Sequence, residues 1–346
     1  MAVPQHRHRG DGRSEGAVLN TLRTIPLLLF LLLTGCGRDE RPAAQGDIRV
    51  TDARGKELIL SRPAQRVVSL LESATTAFYM LRKEEALAGI SRNMYEEPLL
   101  AHYAAMDRRV RERSLPAPGN WDFVDLEAVV ALRPDLVILW SVQSDAIAAV
   151  ESHGIPVYAV MITGPGDIAK EVTDLGRMLG AEARADSLLR FSRDLSAQRS
   201  VAPSDSPSVY FSWASGLYQT AGRASMAGHL IVSAGCVNAC PFPLEQAAVN
   251  AETVIAWDPE IILLWPDGQR TEHEVLREPP LRTVRAVKTG RVYVLPSPYD
   301  CDLWTLKYHY ASYWLRRRAA GSGVAPEELR AFRDSTFSLL YGRNVR

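Results

Sequence analysis

One stretch of this chain occurs twice. Asp125-Leu126-Glu127-Ala128-Val129-Val130-Ala131-Leu132-Arg133-Pro134-Asp135-Leu136-Val137-Ile138-Leu139-Trp140 aligns without gaps on Asn250-Ala251-Glu252-Thr253-Val254-Ile255-Ala256-Trp257-Asp258-Pro259-Glu260-Ile261-Ile262-Leu263-Leu264-Trp265. Both copies open with a residue suited to cap a helix, then place a glutamate in the first turn, where a carboxylate complements the helix dipole. A proline then stops the helix, because the residue before it is pushed out of the helical region. An apolar run ending in tryptophan follows and reads as a buried strand. One such unit is common in α/β proteins. Two of them argue for two lobes of the same design.

The flanking sequence repeats that grammar. Ile48–Thr51 and Glu57–Leu60 predict a hairpin turning near Arg54-Gly55. Strands are expected at Arg66–Leu71, Ala86–Ile90, Asp135–Trp140 and Pro156–Val160, with helices at Ala74–Leu81, Asp125–Leu132 and Ser144–His153. After Pro207 come strands at Ser208–Trp213, Glu260–Trp265 and Arg291–Leu295, with helices at Met226–Ala234 and Glu252–Trp257. Strands alternating with short helices imply an α/β fold of two lobes, each a mostly parallel sheet flanked by helices. Between the lobes, Asp167–Ser200 is helical in pattern, divided near Gly180. Its second piece, from about Glu182 to Gln198, would span ~25 Å as a single long backbone helix joining the lobes. The expected divisions are residues 1–35, 36–47, 48–165, 166–200 and 201–346: leader, tether, N-terminal lobe, connecting helices and C-terminal lobe.

The leader has the order of a secretory signal: Arg7, Arg9, Arg13 and Arg23, then the apolar run Ile25–Leu33, then small residues. That run is shorter than the ~20 residues a membrane-spanning helix needs. Leu33-Thr34-Gly35-Cys36 resembles a bacterial lipobox, which implies lipidation of Cys36 and an exported, membrane-anchored protein facing the periplasm or cell exterior. Basic and acidic residues balance at 40 each, which excludes nucleic acid as a natural partner, since duplex binding relies on Lys and Arg to displace counterions. Past Cys36, Cys236, Cys240 and Cys301 remain; an oxidising compartment permits one disulfide and one free thiol, and the spacing does not choose. No metal site of the protein's own and no cofactor is expected. The chain has no G-x-S-x-G elbow and no H-E-x-x-H, so an enzyme is not expected.

Arg66-Val67-Val68-Ser69-Leu70-Leu71-Glu72-Ser73-Ala74-Thr75, Leu132-Arg133-Pro134-Asp135-Leu136-Val137, Thr220-Ala221-Gly222-Arg223 with Ala234-Gly235-Cys236-Val237-Asn238, and the tail ending in Leu340-Tyr341-Gly342 together resemble the class III periplasmic binding proteins. That family receives cobalamin, siderophores, haem and some metal ions or oxyanions for ABC importers. The resemblance implies a monomeric solute-binding lipoprotein that captures a metal chelate, with a ferric siderophore as the leading expectation. Cobalamin, haem and molybdate are the alternatives, and a surface sensor or adhesin of the same fold is the alternative from a different class.

The resemblance places permease-docking glutamates at Glu127 and Glu252, the pair that the repeat isolates. Their other reading is complementing the helix dipole, worth ~0.3–1 kcal/mol each. Ligands of doubly wound sheets lie beyond the carboxyl ends of the strands, which puts Leu71, Glu72, Trp140, Trp213 and Trp265 at a cleft. By resemblance to the family's cobalamin receptors, Trp121 lines that cleft and Gln246 holds the matching place in the second lobe. Tyr299, Asp300 and Trp304 fall in the late loop that closes the family's pocket. Arg92 and Arg223 are candidates for pairing with ligand carboxylates or an oxyanion. Aromatic walls suit large flat ligands, and core packing is the other reading of each tryptophan. Thr76 stands where the family commonly has a glutamate.

Overall fold

The computed structural model describes residues 47–197, 206–266, 270–321 and 324–342. The N-terminal lobe starts with an antiparallel hairpin of β1 (Ile48–Thr51) and β2 (Glu57–Leu60). Asp52 organises its turn by accepting from the amides of Arg54 (2.9 Å) and Lys56 (3.1 Å). Gly55 there takes φ +79°, a conformation that glycine adopts without a Cβ penalty. β3 (Val67–Ser69), β4 (Leu87–Ile90), β5 (Leu136–Trp140) and β6 (Val157–Val160) form a sheet in the order β4-β3-β5-β6, with every pairing parallel. Its helices are α1 (Glu72–Leu81), α2 (Leu99–Met106), α3 (Arg108–Arg111), α4 (Leu126–Ala131) and α5 (Ser144–Ser152). All three residues of β3 are buried, as expected of a strand covered on both faces.

The C-terminal lobe holds β7 (Ser208–Ser212), β8 (Gln219–Ala221), β9 (Val237–Asn238), β10 (Gln246–Ala248), β11 (Ile261–Leu264) and β12 (Val292–Val294). The order is β10-β8-β7-β11-β12, with β9 also beside β7. β7, β9, β11 and β12 pair in parallel, whereas β8 and β10 add an antiparallel edge. The turn from Trp213 to Gln219, closed by the Trp213 amide on the Gln219 carbonyl at 2.8 Å, is too short for a parallel crossover. Short helices α8 (Met226–Ser233), α9 (Ala251–Trp257), α10 (Glu272–Leu276) and α11 (Arg285–Lys288) cover this sheet.

The repeated segment folds alike in both lobes, as α4–β5 and α9–β11. Asp125 accepts from the Ala128 amide at 3.0 Å, and Asn250 from the Thr253 amide at 2.9 Å. Both helices end on a left-handed residue just before the proline: Arg133 at φ +46° and Asp258 at φ +43°. Since proline disfavours the right-handed helical region for its predecessor, the same stop is built twice.

The connection consists of α6 (Pro165–Met178) and α7 (Glu182–Ala197), which pack on each other and turn at Gly180, φ +62°. α6 lies on α1 and β1, so it belongs to the packing of the first lobe. α7 continues to α12 (Tyr308–Ala319) of the second. The connection is therefore a helical pair divided at Gly180, as expected, and its second piece, α7, is the one that spans. The last helix, α13 (Pro326–Tyr341), returns to pack on α1, so the chain after residue 201 does not stay within one lobe. Phe337 and Tyr341 bury themselves there, beside Tyr299 and Tyr103. One apolar core consequently runs through both lobes, while separate clusters around Val137 and Ile262 fill the far side of each sheet. No helix among the described residues is long and apolar enough to cross a membrane.

Candidate functional site

Five of the seven tryptophans gather into two groups at the carboxyl ends of the strands. In the second lobe, Trp213 follows β7, Trp265 follows β11, and Trp304 comes from the late loop. Trp213 and Trp304 stack at 6.2 Å and 19°, and Trp265 tilts against both at 5.6 and 5.8 Å. Phe211 backs Trp213 edge-on at 4.6 Å. The Trp213 Nε1 donor is buried and has no hydrogen-bond partner among the described residues. In the first lobe, Trp140 at the end of β5 meets Trp121 edge-to-face at 6.3 Å. Trp121 is 46% exposed, and its position comes from Asn120, whose Oδ1 accepts from the amides of Asp122 (3.0 Å) and Phe123 (2.9 Å). Gly119 precedes it at φ +157°, where a Cβ would stand 2.2 Å from the Phe123 carbonyl oxygen; no other residue fits.

Carboxylates occupy the space where the lobes meet. Glu72 opens α1 directly after Leu71, and its Oε1 accepts from Ser91 Oγ at 2.7 Å. Burial raises its carboxyl above the ordinary range, the bonds from Ser91 and Asn93 oppose that, and Asp302 of the second lobe adds to the rise. Asp302 is itself raised by burial and opposed chiefly by Lys307, whose Nζ lies 3.7 Å away. Its Oδ1 accepts from the Trp304 amide at 3.1 Å, which ties this carboxylate to the aromatic wall. Lys307 is wholly buried, which lowers its pKa, and its Nζ sits 3.8 Å from the centre of the Tyr299 ring. The arrangement offers flat apolar surface on two sides and carboxylate acceptors between.

A family model described as periplasmic binding protein matches residues 67–299. The chain belongs to the periplasmic binding protein family. YvrC of Bacillus subtilis, an uncharacterized ABC transporter substrate-binding lipoprotein, is 23% identical over 299 residues, covering 77% of this chain and 86% of its own length. A cobalamin-binding protein of Halobacterium salinarum is 24% identical over 254 residues, covering 70% of this chain and 66% of its own. Among solved structures, the molybdate-bound MolA of Haemophilus influenzae matches with a TM-score of 0.68 at 16% identity, over 86% of this chain and 99% of that one. These relatives are solute-binding proteins, which supports a binding role over a catalytic one.

In this periplasmic binding protein the remaining sequence candidates separate. Glu127 and Glu252 lie exposed in the first turns of α4 and α9, at matching places in the two lobes. Leu71 is buried beneath Glu72. Tyr299 is 1% exposed, stacked on His102 at 3.7 Å and edge-on to Tyr103; the structure places it in the shared core, not on an open wall. Asp300 is buried nearby, 3.7 Å from Arg333. Arg223 spends its guanidinium on the Pro241 carbonyl, with Nε at 2.8 Å, and Gln246 on edge strand β10 donates to Ser215 Oγ at 3.2 Å. Arg92 lies 5.7 Å over the Phe123 ring, at the Trp121 turn. Cys236, Cys240 and Cys301 are all buried free thiols, so the disulfide that their number permits is not formed. Burial pushes Cys236 up to about 11, which keeps it protonated and unreactive near neutrality. Cys36 lies outside the described residues. Among those residues no group of three or more His, Cys, Asp or Glu is placed to hold a metal ion. Sequence reading missed Ser91, Asn93, Asp302 and Lys307; none carries a motif, and only neighbouring candidates pointed to them, Arg92 to the first two and Asp300 and Trp304 to the others.

Proposed function

We propose that this protein is the extracytoplasmic capture component of an ABC importer, anchored through Cys36, and that its ligand is a metal chelate of the corrinoid type. The observation that carries the reading is the pairing of two tryptophan groups with the carboxylates Glu72 and Asp302. A corrin ring is large and flat, and its rim bears amides that donate hydrogen bonds. Indole faces supply contact area at little entropic cost, and the two carboxylates accept from the amide rim. Anionic candidates fit less well. Molybdate, haem propionates or a ferric catecholate would face the carboxylates Glu72 and Asp302, while Lys307 is already paired with Asp302 and Arg223 is committed to Pro241. Among siderophores, uncharged or cationic ferric chelates avoid this conflict. The name of the Halobacterium salinarum relative points the same way.

The test is titration of the purified protein with cyanocobalamin, a neutral ferric trihydroxamate and molybdate, followed by tryptophan fluorescence and native mass spectrometry. Cyanocobalamin should quench the emission and bind one to one. Tight molybdate binding without a response to cyanocobalamin would overturn the reading.

A further inference from the structure

The first lobe contains a cavity of about 360 Å³ whose lining includes no tryptophan. It lies between the β1–β2 turn, the end of β6 and the first two turns of α6, lined among others by Asp52, Tyr158, Ile162, Asp167, Lys170 and Glu171. Small-molecule sites run from roughly 300 to 1,000 Å³.

Most of the polar wall is already committed. Asp52 accepts from the amides of Arg54 and Lys56 and, at 3.3 Å, from that of Ala159. Asp167 accepts from the amide and hydroxyl of Thr163, both at 2.8 Å, and from the Gly164 amide at 3.1 Å. Lys170 donates to the Thr51 carbonyl and to Asp174, and the Tyr158 hydroxyl donates to Asp174 at 2.8 Å. Glu171 differs. It is 3% exposed, and its Oε1 has no hydrogen-bond partner among the described residues. A buried carboxyl oxygen left without a donor is costly unless something entering the cavity satisfies it.

We propose that this cavity is a second binding site, for a small aliphatic ammonium compound whose charged group is held by Glu171. Charge favours that class: three carboxylates and one lysine line the space, and with Asp52 paired to Arg54 and the lysine to Asp174, the carboxylates left over are Asp167 and Glu171. An anion would face Asp167 and Glu171, while Ile162 and the Tyr158 ring give an alkyl chain an apolar wall. The groups that bear on Glu171 are Asp302 from the second lobe, with Lys307 behind it, Asp174 and Lys170 on its own helix, and Asp52 with its ion-pair partner Arg54, Asp167 and Tyr158 around the cavity. Burial first, then the like charges of Asp302 and Asp174, push its carboxyl up to about 8. Glu171 thus holds a proton at neutral pH when no cation faces it. An entering ammonium forms its ion pair with the carboxylate while that proton leaves to solvent.

The experiment is calorimetric titration of the full-length protein with n-butylammonium chloride, in two buffers of different ionisation enthalpy, with n-butanol as the uncharged control. Affinity should rise by about tenfold per pH unit between roughly pH 6 and 7.5, with close to one proton released per ammonium bound. Glu171→Gln should weaken binding at least about tenfold and abolish the proton release. Ala53→Trp, on the exposed turn at the rim, keeps Glu171 but blocks the entrance; it should weaken binding as well, which preserves the test if the Gln variant fails to fold. The proposal is overturned by no binding up to about 10 mM, by equal binding in wild type and both variants, or by butanol binding as tightly as butylammonium.

Discussion

Arg184 and Leu340 are joined by a 2.7 Å hydrogen bond from the guanidinium on the connecting helix to the carbonyl near the end of the last helix. The same guanidinium reaches the Leu339 carbonyl at 2.7 Å and the Met80 carbonyl, at the end of α1, at 2.9 Å. One side chain therefore pins three helices. Hydrogen bonds to a charged group contribute about 1.5–3 kcal/mol each, and partial exposure reduces that here. Arg184→Ala should lower unfolding free energy by about 2–4 kcal/mol, and Arg184→Lys by less. Denaturant titration checks it; an unchanged midpoint in the Ala variant refutes the pinning role.

Tryptophans of the cleft and of the core should separate by phenotype. Trp121→Ala, Trp213→Ala and Trp304→Ala should each cost more than ~2 kcal/mol in ligand affinity, about thirtyfold, with a small shift in melting temperature. Trp314, 4% exposed within α12, is the internal contrast. Its replacement by Ala should cost ~3–5 kcal/mol of stability. If the first three lose stability while affinity holds, they are core residues and the cleft is lined by others.

Glu171 should impose a pH dependence on stability. Its folded-state pKa of about 8 lies above the unfolded value, so the folded protein binds more protons between the two. The contribution is fully present below the unfolded carboxylate pKa, near ~4.3, and is lost as pH rises through about 8. Glu72 and Asp302 shift in the same direction and deepen the loss. Unfolding free energy should fall from pH 5 to pH 8 in the wild type, and less steeply in Glu171→Gln. Parallel curves for the two proteins would dismiss the assignment.

Reversing both exposed glutamates, Glu127→Arg with Glu252→Arg, should leave ligand affinity intact and stop uptake. An attraction to basic groups on the permease would become a repulsion. Either single change should give a partial loss. Full uptake by the double variant at normal protein levels would sink the docking role.

Cys36→Ala should release the protein from membranes into the soluble fraction. Two acyl chains hold far more firmly than one, since each buried CH₂ adds ~0.8 kcal/mol. A variant that still sediments with membranes in high salt is held by something other than a lipid.

The parts of the fold that could be read ahead were those coded locally. The paired α4–β5 and α9–β11 units announced themselves through Asp125, Asn250, Pro134 and Pro259, because capping and proline stops act within a few residues. α1 was anticipated from Ala74 but begins at Glu72, since its first turn carries no side-chain cap to mark it. Strands β8 and β10 have three residues each, too few for a period to show. Placement of Trp140, Trp213 and Trp265 followed from their positions at strand ends. The surroundings of Glu72 did not, because Ser91 and Asp302 reach it from distant parts of the chain. Tyr299 was expected on the cleft wall for its place in the late loop; His102, Tyr103 and Phe337, which enclose it, come from two other helices.

The return of α13 to the first lobe bears on the order in which this protein can be completed. A chain made from its N-terminus onward has β1 to β6 in hand while Phe337 and Tyr341 are still to come. Until they arrive, the face of α1 on which α13 packs, and Tyr103 of α2, whose hydroxyl meets that of Tyr341, stay uncovered. The first lobe is therefore finished by the last residues of the chain, and a truncation that removes them leaves the opening lobe without its seal.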